Sequence, residues 1–99
     1  MLSKQDAQDL VEARLCKISP SDNPYVVVGA GTIEKPYGWV FFYSSKKYLE
    51  TGTVRYALAG NGPVFVNKET GCLEFCGVNK PVQVQIEDYE TRLAQKPAG

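Results

Sequence analysis

The sequence predicts an α+β fold, with an N-terminal helix, a four- to five-stranded, mainly antiparallel sheet, and a C-terminal helix. Three observations carry this. Apolar residues recur at helical spacing near both ends of the chain, short Val-, Thr- and aromatic-rich runs fill the middle, and clusters of Gly, Pro, Asn and Ser separate those runs. A length of 99 residues suits one hydrophobic core, hence a single domain over 1–99. With 43% apolar and 22% charged residues, the composition is that of a folded chain and not of a disordered one.

The first helix is expected over Ser3 to Ile18. Ser3 with Asp6 three residues later resembles a capping box, and Ala7, Leu10, Val11, Leu15 and Ile18 form one apolar stripe. Arg14 shares that stripe and is expected to lay its stem on it with the head in water. Ser19-Pro20-Ser21-Asp22-Asn23-Pro24 ends the helix. Tyr25 to Lys35 reads as one strand, weakened at Gly29-Ala30-Gly31, where a bulge or a close backbone approach is expected. Pro36-Tyr37-Gly38 turns the chain into Trp39–Tyr43, a strand with Trp39, Phe41 and Tyr43 on one face and Val40 and Phe42 on the other. Ser44 to Gly52 is polar and irregular, and Thr53 to Leu58 reads as a further short strand. Val64-Phe65-Val66 and Leu73-Glu74-Phe75 are two strands joined by a loop ending in Gly71. Val82, Ile86, Tyr89 and Leu93 make the stripe of the last helix, with Pro81 suited to its first position and Asn79 near its cap. Lys96–Gly99 is a frayed tail. The sheet is expected to pack against the helices on one face.

Eleven basic against eleven acidic residues leave no net charge, which argues against nucleic acid as partner. The absence of histidine excludes Ser-His-Asp, Cys-His and imidazole–metal sites within the chain. Cys16, Cys72 and Cys76 cannot all pair and show no Cys-x-x-Cys spacing, so they read as reduced core residues of a cytoplasmic protein. No secretory signal is read at the N-terminus, and the longest apolar run, Trp39 to Tyr43, is too short for a membrane span. Gly60-Asn61-Gly62 lacks the Lys-Ser/Thr of a phosphate loop and reads as a tight turn needing positive φ. No carboxylate pair is spaced for acid–base work. The chain is therefore expected to be no enzyme and to use no metal or cofactor.

Aromatic residues crowd the span from Tyr25 to Tyr56, and two helices are expected to leave some of them accessible, as at protein interfaces. Lys46, Lys47 and Arg55 make the mid-chain segment basic, whereas Glu87, Asp88 and Glu90 make the last helix acidic. Tyr37, Tyr48, Glu50, Arg55 and Tyr56, read as turn or loop residues, are the first candidates for a partner-binding surface. The second face of the sheet is a rival surface, and Glu87, Asp88 and Glu90 are the third.

Ile33-Glu34-Lys35-Pro36-Tyr37-Gly38-Trp39-Val40-Phe41-Phe42-Tyr43, Ser45-Lys46-Lys47-Tyr48-Leu49-Glu50-Thr51-Gly52 and Leu58-Ala59-Gly60-Asn61-Gly62-Pro63 resemble the signature of the immunity protein 35 family of bacterial polymorphic toxin systems. The resemblance continues through Val64-Phe65-Val66, Lys68-Glu69-Thr70-Gly71 and Ile86-Glu87-Asp88-Tyr89-Glu90, while the N-terminal helix fits by position and pattern. It implies a small α+β antitoxin that binds a co-encoded cognate toxin, one to one, and needs no chemistry of its own. Trp39, Phe41, Gly60, Asn61, Gly62, Pro63 and Gly71 would then specify the fold and not the partner. A chaperone-like or stress-related protein-binding domain is the alternative, and self-association is left open.

Overall fold

A computed structural model of the chain describes residues 2–57 and 62–95. The expectations for Gly60 and Asn61, and for the tail at 96–99, lie outside these residues. Helix α1 (Lys4–Ile18) leads into β1 (Tyr25–Val27), a single 3-10 turn (Gly29–Gly31), β2 (Ile33–Lys35), β3 (Gly38–Phe41) and β4 (Tyr43–Ser45). There follow α2 (Lys46–Thr51), a second 3-10 turn (Val54–Tyr56), β5 (Val64–Asn67), β6 (Leu73–Phe75) and α3 (Val82–Gln95). The α+β class and both terminal helices are as expected. The main sheet has four strands in the order β2-β3-β5-β6, all antiparallel, and a separate ladder pairs β1 with β4.

Ser3 caps α1 as expected: its hydroxyl accepts from the Asp6 amide at 3.1 Å, and its own amide donates to the Asp6 carboxylate at 3.2 Å. The stripe is narrower than expected. Ala7, Val11 and Leu15 are buried, one above another at i, i+4 and i+8, whereas Leu10, Ile18 and Arg14 are exposed. Gly71, at φ 74, closes the β5–β6 connection, its amide donating to the Asn67 carbonyl at 2.8 Å.

The helices do not share one face of the sheet; they cover both. Ala7, Val11 and Leu15 of α1 pack on Trp39, Phe41, Val64 and Val66, while Ile86 and Tyr89 of α3 pack on Val40 and Phe65. Period two drives this: register sets Trp39 beside Val66 and Phe41 beside Val64, with Val40 beside Phe65 on the reverse side. β3 is thus buried along its whole length as an inner strand. The same register carries charge. Glu34, opposite Trp39, meets Lys4 of α1 at 3.5 Å, whereas Glu74, opposite Phe65, meets Arg92 of α3.

Several local expectations are corrected. Tyr25 to Lys35 is two strands in different sheets, because Gly29–Gly31 coils into a 3-10 turn; no backbone crowds either glycine, and only the Phe42 ring lies 3.6 Å from where a Gly31 Cβ would stand. The strand expected from Trp39 to Tyr43 breaks at Phe42, whose carbonyl instead accepts from the Val28 amide at 2.7 Å. Ser44 to Gly52 is ordered as the end of β4 and α2, and Val54–Tyr56 is a 3-10 turn and not a strand. Of Gly60, Asn61 and Gly62, at one of which positive φ is expected, only Gly62 is described, and its φ is not positive. This glycine is required by proximity, since a Cβ there would stand 2.1 Å from the Gly77 carbonyl oxygen.

Cys16 and Cys72 are exposed, so the core role expected for them fails, whereas Cys76 is partly buried and packs against the Val40–Phe65 cluster. Cys16 follows the inward-facing Leu15 by one residue, a rotation of about 100° away from the sheet. Replacing all three cysteines with Ser is expected to cost less than about 1 kcal/mol; thermal melting of the triple variant checks this.

Candidate functional site

The basic segment after β3 folds into a compact corner. Ser45, fully buried, starts α2 by accepting from the Tyr48 amide at 3.1 Å, and its hydroxyl donates to the Tyr56 carbonyl at 2.6 Å. Gly52, at φ 68, stops the helix, with its amide donating to the Tyr48 carbonyl at 2.8 Å. The Lys46 amide donates to the Pro24 carbonyl at 2.8 Å and the Lys47 amide to Asn23 Oδ1 at 3.0 Å, which ties the corner to the segment before β1. Tyr48 and Glu50 stand on α2 and Arg55 and Tyr56 on the 3-10 turn that follows it, and not on a loop.

Two cations converge on one ring in this corner. Lys47 Nζ lies 5.4 Å and Arg55 Cζ 5.3 Å from the Tyr56 centroid. Beside them, Val54 is 81% and Leu49 49% exposed. These two apolar residues were not among the candidates. An isolated Leu and Val in a polar stretch without helical or strand period was the available signal.

Tyr37 does not join the corner. It lies on the β2–β3 turn, its hydroxyl donates to Glu90 Oε2 at 2.9 Å, and its ring meets Tyr89 at 5.4 Å. Tyr37 therefore belongs with the acidic alternative on α3. That helix is largely neutralised within the molecule. Glu90 also meets Lys35 at 3.5 Å, Asp88 meets Lys80 at 2.9 Å, and Arg92 grips Glu74 through two hydrogen bonds of 2.9 and 2.6 Å. The guanidinium holds the Glu74 carboxyl below its ordinary range, and burial pushes the Cys76 thiol up.

Burial also raises Tyr37, Tyr43 and Tyr89, in Tyr37 with help from Glu90. A raised folded-state value gives stability that is complete below the unfolded value and lost as pH climbs past it. The protein is therefore expected to lose stability above pH 10, the ordinary tyrosine value, and denaturant titrations across that range check it.

A cavity of about 250 Å³ lies between Phe42, Pro63, Val78, Val82 and Gln85, mostly apolar in lining. Among the described residues, no group of three or more Cys, Asp or Glu side chains is placed to hold a metal ion, and no helix is long and apolar enough to cross a membrane.

Residues 5–92 match the family model described as Immunity protein 35. The chain belongs to the immunity protein 35 family. The match takes in α1 from its second residue, all six strands and most of α3, so it extends through the helix that sequence pattern alone tied to the family only by position. Immunity protein 35 is not an enzyme family. This immunity protein 35 chain is also 32% identical over 77 residues to Uncharacterized protein YrhB of Escherichia coli (strain K12), covering 78% of the chain and 80% of that relative. No solved structure matches the chain at a significant level.

Proposed function

We propose that this protein is a cytoplasmic antitoxin, which binds and neutralises a cognate, co-encoded bacterial toxin through one stoichiometric protein–protein contact. Membership of the immunity protein 35 family is the observation that carries the reading. The physical chemistry is consistent with it, because an inhibitor of this kind needs a rigid scaffold and an anchored surface and no reacting groups. The contact surface in this reading is the α2 corner, with Tyr48, Glu50, Arg55 and Tyr56. The acidic set Glu87, Asp88 and Glu90, joined by Tyr37, is the rival surface. Two features favour the corner: its Val54 and Leu49 are more exposed than Val84 beside the acidic set, and its cations lack full internal compensation, whereas Glu90 and Asp88 are already paired.

Co-expression with the product of the neighbouring toxin gene tests the proposal. Rescue of growth together with a one-to-one complex on size exclusion is the expected result. Failure to rescue, with binding to many unfolded clients instead, would favour the chaperone-like alternative.

A further inference from the structure

Resting on the antitoxin reading, we infer that the toxin surface facing the α2 corner is acidic around an apolar centre, with a carboxylate seated by Lys47 and Arg55 against the Tyr56 ring. The argument starts from charge. Among the described residues, neither Lys46 nor Arg55 has a carboxylate within ion-pair distance. Lys47 reaches only Asp22, at 3.9 Å, with that carboxylate 80% exposed, a geometry worth little in water. Two cations held against one ring repel each other unless an anion is added, and burial under a partner would strengthen the attraction for one. The rival surface on α3 is in the opposite condition, since its Asp88 and Glu90 already face lysines.

The apolar residues decide what kind of anion this is. Val54, the most exposed large apolar side chain described, adjoins Arg55 in the chain, and Leu49 lies one helical turn from Lys46. A polyanion such as nucleic acid meets the two cations with phosphates but offers little to a pair of exposed aliphatic side chains. A protein surface with carboxylates around apolar side chains satisfies both components, and complementary charge at the rim would speed association.

The test uses the intact protein and the purified toxin encoded beside it. Titration calorimetry of the Lys47→Glu/Arg55→Glu variant, at low and high salt, is expected to show binding weakened about tenfold or more. Wild-type affinity should fall as salt rises. Arg55→Lys should retain most of the affinity and Val54→Asp should lose it; all variants should melt close to wild type, because Val54 and Arg55 are exposed and the partly buried Lys47 makes only a long, solvated ion pair with Asp22. Reversal variants that bind within about twofold of wild type would overturn the inference while leaving the antitoxin reading intact. Tight binding of wild type to heparin or single-stranded DNA would overturn it in favour of a polyanion site. A wild-type protein that does not bind the toxin at all would remove the antitoxin reading and this inference together.

Discussion

Trp39→Ala is expected to destabilise the protein by about 3–5 kcal/mol, read as a lowered midpoint in chemical denaturation. The ring is only 8% exposed and belongs to the cluster in which Ala7, Val11 and Leu15 of α1 cover the sheet. Truncation removes the apolar area of the largest side chain in that layer and leaves a hole between the sheet and α1 that cannot readily collapse, because β3 is held on both sides by β2 and β5. At roughly 4–8 °C per kcal/mol for a domain of this size, the melting temperature should drop by well over ten degrees. A variant that melts like wild type yet no longer binds its partner would show that Trp39 serves an interface instead.

Gly38→Ala should be at least as damaging, through the backbone and not through packing. Gly38 has φ 155 and is paired with Asn67, and an added Cβ would stand 1.8 Å from the Val66 carbonyl oxygen. No rotamer relieves a clash made by Cβ itself. The chain must either part β3 from β5 or change φ at the first residue after the β2–β3 turn, and both disrupt the inner pair of the sheet. We expect a loss of about 3 kcal/mol or more, in the range that marks a specific structural fault. Gly52→Ala makes a suitable contrast. That glycine has open space around its missing Cβ and carries only the positive-φ penalty, so it should cost about 1–2 kcal/mol.

The elements that could be read from sequence are those whose period is long enough to be unambiguous. Ala7, Val11 and Leu15 mark α1, and Ile86 and Tyr89 mark α3, because each set repeats on a helical stripe that the sheet then buries. The switch at Phe42 was illegible because the alternation of Trp39, Phe41 and Tyr43 runs straight through it; what breaks the strand is a change of partner from β5 to β1, a long-range event. α2 has too few residues to show a period, yet Ser45 before it and Gly52 after it are readable start and stop signals. The covering of both sheet faces was missed by counting helices, when two faces need only one helix each. Of the candidate surface, residue type identified Tyr48, Arg55 and Tyr56, but only the fold separates Tyr37 from them, by handing it to Glu90.

The placement of α1 and α3 on opposite sides of the sheet has a consequence during synthesis on the ribosome. α1 emerges first and can wait for β3 and β5, so its side of the sheet is covered as soon as the strands pair. The other side, with Val40 and Phe65, has no cover until α3, the last of these elements, has cleared the exit tunnel. At elongation rates of about 5–20 residues per second, that apolar face stays open for on the order of a second or more after β6 is made, the interval in which nascent chains are most prone to stick to one another.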